Sequence, residues 1–167
     1  MSAETLEKLR RAVEAAADGL VTYSETTARV VFVAAPGAGV NEVTSEAVIT
    51  WLSAQHDGRG DIFFSDSASL FPLAEQCCED WGLGRRFLDG HSRIDDPTDP
   101  ESVESARKWG LIRDAMLEHL QQVRVFRFGD LFEHGGSDTV MGQVSIFVVG
   151  RTQDGSLAGV LTAKAET

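Results

Sequence analysis

The C-terminal stretch Val123–Thr167 constrains the fold more than any other part of the chain, because it predicts strand, strand, tight turn and strand up to the last residue. In Gln143–Gly150 and Ser156–Ala163, apolar residues occupy both alternating faces. The segment between them, Arg151–Gly155, contains an Asp-Gly step, which suits a hairpin because Gly adopts positive φ at little cost. Strands that are apolar on both faces are typical of a sheet covered on both sides. We therefore expect a buried C-terminal β-hairpin whose terminal carboxylate is held in a fixed place.

The rest of the chain alternates between helical periodicity and short apolar runs. Apolar spacing predicts one helix over about Ala3–Ala17 and another over Thr44–Gln55, with Thr44 or Ser45 as its cap. Asp99-Pro100-Glu101 predicts the start of a long helix, with Asp as N-cap and Pro in the first turn, that continues to about Gln122. A further helical segment is predicted from Asp66 or Ser67 to Trp81, and the remaining strands are predicted at Arg29–Ala34, Asp61–Phe64 and Val123–Phe128.

Two segments lack a clear period and are predicted to be irregular. Leu83–Pro100 is interpreted as a surface excursion, and Gly129–Met141 as a long connection before the terminal hairpin. The remaining pattern interleaves helices with two-faced strands and contains no linker or internal repeat. We therefore predict a single α/β/α sandwich domain over residues 1–167, with a mixed or largely antiparallel central sheet and helices on both faces.

The charge of the chain restricts its partners. It carries 15 basic and 26 acidic residues, for a net charge of −11. Such a surface repels phosphate backbones, so direct nucleic-acid binding is not expected, whereas attraction to a basic protein surface is. No apolar run approaches the ~20 residues needed to span a membrane, and the N-terminus lacks the apolar core of a secretion signal. We expect a cytoplasmic protein with no membrane contact.

The sequence shows none of the common catalytic patterns. It contains no glycine-rich phosphate loop and no G-x-S-x-G elbow, and its four histidines are far apart. Asp95, Asp96 and Asp99 could hold a cation, but the neighbouring prolines favour a turn and an N-cap. Adjacent Cys77 and Cys78 are expected to be thiols on a helix. We predict that the protein is not an enzyme and has neither a cofactor nor an intrinsic metal site.

Two blocks of the sequence together resemble the nuclease A inhibitor family. The first contains Leu9 and Ala12, followed by A-D-G-L at 17–20 and the Ser24-Glu25 pair. The second contains V-x-R-x-G at 125–129, the hairpin G-R-T-Q-D-G-S-L-A-G at 150–159 and the terminal Glu166-Thr167. Their order, spacing and shared terminus carry the resemblance.

The resemblance implies an α/β/α sandwich that inhibits a metal-dependent, sugar-non-specific DNA/RNA nuclease. By the same resemblance, Glu25 in the Ser24-Glu25 turn and Thr167 beside Glu166 would enter the nuclease active site. Glu25 would pair with an arginine that normally steadies the scissile phosphate, and Thr167 would approach the nuclease-bound cation or its water. The acidic surface would steer association onto the basic nucleic-acid groove.

The chain also departs from the family pattern. Its middle is enlarged around Leu83–Pro100, the Gly129–Met141 connection is longer, and the aromatic residue that family inhibitors place before the long helix has no clear counterpart. An alternative function is therefore a protein- or ligand-binding domain on the same scaffold that uses the expanded loops 83–100 and 129–141 rather than inhibiting a nuclease. The sequence identifies neither the target nuclease nor the oligomeric state.

Overall fold

The computed structural model describes the backbone of residues 2–23, 27–52, 55, 77–134 and 137–166, and their side chains except those of residues 2, 23, 27, 77, 130–134, 137–143, 165 and 166. The predicted strand Asp61–Phe64 and the start of the helix at Asp66 lie outside these residues. The elements in chain order are α1 Ser2–Ala17, β1 Val21–Tyr23, β2 Thr27–Arg29, β3 Val31–Ala35, α2 Ser45–Trp51, β4 Cys77–Leu83, α3 Gly84–His91, α4 Pro100–His119, β5 Gln121–His134, β6 Ser137–Arg151 and β7 Leu157–Glu166.

The described strands form one antiparallel sheet and one separate hairpin. The sheet has the order β3-β7-β6-β5-β4, and β1 pairs with β2 outside it. The predicted C-terminal hairpin is confirmed, because β6 and β7 pair from Gly142↔Glu166 to Arg151↔Leu157. At its turn Gly155 has φ of 91°, the positive value that the Asp-Gly step predicts.

Helices cover both faces of this sheet. Alternate residues of β6 separate the two cores: Val144, Ile146 and Val148 belong to one, while Phe147 and Val149 belong to the other. The first core also takes residues from α1, α3 and α4, and the second takes Val48 of α2. The predicted α/β/α sandwich with an antiparallel sheet is therefore confirmed, and the two-faced apolar strands are explained by this double covering.

Both predicted helix caps are present. The Thr44 side chain accepts a hydrogen bond from the Ala47 N–H at the start of α2. Asp99 accepts one from the Glu101 N–H at the start of α4, with Pro100 in the first turn. Each cap satisfies a backbone donor that the helix itself cannot, which fixes where the helix begins. The long helix ends at His119, earlier than predicted, because Leu120 is already extended.

Three predicted segments differ from the structure. Cys77–Leu83 is a strand, the last in the order of the described sheet, rather than the end of a helix, so the half-buried Cys78 thiol lies on β4. Gly84–His91 inside the predicted surface excursion is the helix α3, whose buried Leu88 joins the first core. The predicted connection Gly129–Met141 consists of paired strand in its described residues.

Tertiary contacts explain these differences. β4 contains Glu79 and Asp80 and has weak strand character, but its residues Cys77–Asp80 and Leu83 pair with β5. Burial raises the pKa of the Cys78 thiol to about 12, with smaller contributions from Asp80 and then Glu79. Trp81 of β4 is 57% exposed, and β4 is the last strand in the order of the described sheet.

Candidate functional site

The β1–β2 hairpin is fixed to the C-terminal strand. Its register pairs Val21 with Arg29 and Tyr23 with Thr27. The Thr22 hydroxyl oxygen lies 2.7 Å from that of Thr162 in β7, and both side chains are buried. In this pair one hydroxyl donates and the other accepts, so each buried side chain has a hydrogen-bond partner. The hairpin is therefore held against the middle of β7.

The strand register brings two chain segments to one end of the sheet. β3 is antiparallel to β7, with Val31 opposite Leu161 and Ala35 opposite Leu157. The start of β3 therefore faces the C-terminal half of β7. Because β2 directly precedes β3 in the chain, β2 lies on that same side. We call this end of the sheet, which contains the Tyr23↔Thr27 pair and Glu166, the open end.

The predicted site residues themselves are only partly covered by the structure. Ser24, Glu25 and Thr167 lie outside the described residues. Glu166 is the last residue of β7 and pairs with Gly142 of β6, but its side chain is not among those described. The roles of these four residues remain predictions.

A cleft of about 830 Å³ lies at the open end, between β1, the end of β7, α3 and the first turns of α4. Three rings line it: the His91 imidazole stacks on Phe87 at 4.1 Å between ring centroids and lies 4.8 Å from Trp109. Thr22 and Lys164 contribute from the strand side. The sequence did not predict this cleft, because the α3 that forms one wall was interpreted as irregular chain.

Burial controls the charge state of the imidazole in this cleft. The pKa of His91 is lowered chiefly by burial, and Lys164 adds to this lowering. The hydrogen bond between Nδ1 and the Phe87 carbonyl oxygen, at 3.0 Å, and the nearby Asp95 act in the opposite direction. His91 is therefore a neutral ring near pH 7, with Nδ1 donating to Phe87.

The acidic rim of the cleft is a turn and a helix cap, the alternative that the sequence favoured. The Asp96 carboxylate accepts hydrogen bonds from the Thr98 N–H at 3.0 Å and the Thr98 hydroxyl at 2.7 Å, which lower its pKa. Asp99 caps α4. Within the described part of the chain, no group of three or more His, Cys, Asp or Glu side chains is arranged to hold a metal ion.

A buried cation lies away from the cleft. Arg127 is only 2% exposed, and its guanidinium carbon lies 3.9 Å from the centre of the Trp81 ring. Such a stack is an attractive cation–π contact when water is excluded from the guanidinium. Trp81 belongs to β4, which is separated from β7 by two strands, so it lies about 14 Å across the sheet from the C-terminal strand.

Among the described residues, no helix has both the length and the apolar character that crossing a bilayer requires.

Comparison with known proteins identifies the family. No curated protein sequence matches the chain. A family model described as nuclease A inhibitor-like protein matches residues 7–167, which is nearly the whole sequence and includes both blocks that carry the resemblance. The chain therefore belongs to the nuclease A inhibitor-like family.

Proposed function

We propose that this protein inhibits a metal-dependent, sugar-non-specific nuclease by inserting Glu25 and Thr167 into the nuclease active site. The family supports a nuclease as the partner. The register at the open end carries the mechanism: Tyr23 pairs with Thr27, Glu25 is the middle residue of the three that join them, and Thr167 directly follows Glu166. The described flanks of both residues therefore support insertion from one end of the sheet.

The rigidity of these flanks favours tight binding. Thr22 is tied to Thr162 by the buried hydroxyl pair, and β7 is paired on both sides, with β3 and with β6. Groups on a preorganised scaffold lose less conformational entropy when they bind than groups on mobile chain. Preorganisation matters most for residues near a chain terminus, because termini usually fray.

The chemistry of the two residues fits a nuclease site. A glutamate carboxylate can accept two parallel hydrogen bonds from an arginine that would otherwise hold the scissile phosphate. A threonine hydroxyl and a terminal carboxylate supply the oxygen ligands that a hard cation such as Mg²⁺ prefers. The net charge of −11 would accelerate association with the basic groove that binds the substrate. In this mechanism the protein is an inhibitor and catalyses nothing itself.

The test is a titration of purified sugar-non-specific nucleases with the native protein while DNA digestion is followed. We expect stoichiometric loss of digestion with at least one of them. Replacing Glu25→Ala and extending the chain beyond Thr167 should each weaken inhibition at least about thirtyfold, the effect of removing a buried anchor worth about 2 kcal/mol. Glu118→Ala, which removes an exposed carboxylate from the last turn of α4, and the same extension placed at the N-terminus are the matched controls.

Two results would contradict the proposal. If a large molar excess of native protein leaves every nuclease active, inhibition is not its function. If native protein inhibits but both variants inhibit equally well, the mechanism through Glu25 and Thr167 is wrong.

The cleft favours a second candidate function, a ligand- or protein-binding domain on the same scaffold. It is lined by the stacked Phe87 and His91 rings, by Trp109 beside them, and by side chains of both charges from the expanded 83–100 segment. This second function predicts a ligand that changes Trp109 fluorescence in a Trp51→Phe, Trp81→Phe variant, and a protein that leaves nucleases active. Inhibition that is insensitive to a cleft ligand would reject it.

A further inference from the structure

The cleft at the open end is lined by three cations that come from separate parts of the chain. Arg86 lies on α3, Arg93 follows that helix, and Lys164 lies on β7. Among the described residues, no ion pair and no side-chain hydrogen bond involves any of these three side chains. Lys164 is also half-buried in the strand side of the cleft. An anion bound in the cleft would give these cations an ionic partner.

The same cleft is lined by hydrogen-bond acceptors. The Asp95 and Glu101 carboxylates border it, and neither forms an ion pair with a described residue. Ser102 and Ser105 add hydroxyl groups from the first turns of α4. Charges of both signs thus border one cavity without pairing with each other. The cleft therefore suits a ligand that carries both an anionic group and several hydrogen-bond donors.

One part of the cleft wall is aromatic. The Phe87 and His91 rings are half-buried, and Trp109, which is only 3% exposed, packs against both. Because Nδ1 of His91 donates to the Phe87 carbonyl oxygen, Nε2 of the neutral ring is an acceptor. A planar ring that carries donor groups is suited to pack on this wall.

The volume of the cleft and the charge of the protein restrict the ligand further. About 830 Å³ lies in the range of roughly 300–1,000 Å³ that is typical of small-molecule sites. The net charge of −11 disfavours a polymer with many phosphates. One phosphate monoester carries a charge of about −2 at neutral pH, so it matches three cations better than a single carboxylate does.

We propose that the cleft binds a nucleoside monophosphate. Lys164 and the two arginines hold its phosphate, its base packs on the Phe87 and His91 rings, and the carboxylates and serine hydroxyls accept from its sugar and amino groups. This proposal rests on the second candidate function, ligand binding in the cleft, and names the ligand. It assigns no role to Glu25 or Thr167, so the ligand can bind whether or not the protein inhibits a nuclease.

The test is isothermal titration calorimetry of the native protein with adenosine monophosphate, adenosine, inorganic phosphate and L-phenylalanine. We expect the nucleotide to bind at one site per chain, at least about tenfold more tightly than each of the other three probes, because it alone combines the phosphate, the planar ring and the donors. Adenosine and phosphate each present one half of the nucleotide. Phenylalanine tests whether a zwitterion with an aromatic ring is preferred.

Two variants locate the site. Lys164→Gln should weaken binding of the nucleotide about tenfold and change that of adenosine less than about twofold, because the lost contact is with the phosphate. The matched control is Lys8→Gln, which makes the same change in net charge at an exposed position of α1 outside the cleft. The control should change the affinity for the nucleotide less than about twofold.

Each contrary result has its own meaning. If the nucleotide does not bind, or binds no more tightly than phosphate, the proposal is wrong. If phenylalanine binds more tightly, the proposal is wrong but the cleft remains a ligand site. If the control loses as much affinity as Lys164→Gln, net charge sets binding and the site is misassigned.

Should Lys164→Gln fail to fold, as judged by circular dichroism, Arg86→Gln with Arg93→Gln decides, since both arginines are exposed and line the cleft. This double variant should also weaken nucleotide binding about tenfold, and unchanged affinity would overturn the proposal. All of these titrations omit the nuclease, so a failure of the inhibition assay leaves their outcome unaffected.

Discussion

The two ends of the sheet are built differently. At the open end, the chain presents a hydroxyl-anchored hairpin, a cleft and the last pair of β7. At the other end, which we call the closed end, backbone segments around Leu120–Gln122, Gly150–Gly155 and Val40–Val43 are in close contact.

The segments of the closed end are in close contact, and concavities of about 760 and 640 Å³ lie beside them. A Cβ atom on Gly150 would lie 2.8 Å from the Gln121 carbonyl oxygen and 2.9 Å from the Leu120 Cβ. The Arg151 guanidinium donates to the Val40 carbonyl oxygen at 3.0 Å, and the Gln122 side chain accepts from the Val43 N–H at 3.1 Å. The closed end therefore contributes to stability, whereas the open end offers groups for binding.

The largest expected effect is on stability at the closed end. Gly150→Val should lower the free energy of unfolding by about 3 kcal/mol, because its side chain must displace Leu120 or the Gln121 carbonyl group. Urea denaturation followed by far-UV circular dichroism measures this loss. Gly110→Ala is the control, since its Cβ would meet only the Arg113 guanidinium at 4.0 Å and alanine favours the helix. A loss below about 0.5 kcal/mol for Gly150→Val would contradict the tight closed end.

The next effect concerns the hydroxyl pair at the open end. Thr22→Val should cost about 1–3 kcal/mol of stability, because the buried Thr162 hydroxyl loses its partner. Adding Thr162→Val should recover part of that loss, since two apolar groups then replace two polar ones. The unfolding free energies of native protein, both single variants and the double variant form a double-mutant cycle. Strictly additive losses would show that the two hydroxyls do not interact.

A smaller effect on stability is expected at Gln122, whose side chain links two segments of the closed end. Gln122 has φ of 53°, in the left-handed region that most residues avoid, and its side chain bonds Val43 N–H and the Asn41 carbonyl oxygen. Gln122→Ala should cost about 1 kcal/mol through these bonds. Gln122→Gly should be about 1 kcal/mol more stable than the alanine variant, because glycine tolerates this φ. Thermal denaturation ranks the stability of the two variants. An alanine variant more stable than the glycine variant would contradict backbone strain at Gln122.

The smallest effect is a pH dependence at the open end. Because the folded-state pKa of His91 is lowered, mainly by burial, the unfolded state binds its proton more tightly. The stability that neutral His91 contributes is fully present above the unfolded-state pKa of about 6.5. It decreases as the pH falls below that value toward the folded-state pKa. Native protein should therefore lose more stability than His91→Gln on going from pH 7.5 to 5. Equal losses measured by denaturation would show that Asp95 offsets the burial.

Local signals in the sequence predicted much of the fold. The two apolar faces of β6 and β7 predicted a sheet covered on both sides, and Asp99-Pro100 predicted the start of α4. These patterns depend on residues near one another in sequence, so they are visible without tertiary structure. The prediction was wrong for β4, where Glu79 and Asp80 mask a strand that forms because β5 offers it a ladder.

The candidate site was accessible to sequence only through the family resemblance. Glu25 by itself would be one exposed acid among many, and nothing local marks Thr167 as important. The cleft around His91 could not be foreseen, because its walls come from β1, α3, α4 and β7. Residues 129–141 were interpreted as a connection, since the glycines and acids of this segment conceal the pairing of β5 with β6.

The sequence by itself determined the layered architecture, the terminal hairpin, the helix caps, the strong negative charge and membership of the nuclease A inhibitor-like family. Tertiary structure decided which ends of these elements meet. Strand register and the Thr22–Thr162 contact bring the β1–β2 hairpin and Lys164 of β7 to one cleft with α3 and α4. The reason is physical: side-chain periodicity specifies which face of a strand is buried, whereas its neighbours and their direction are fixed only when distant segments form hydrogen bonds with one another.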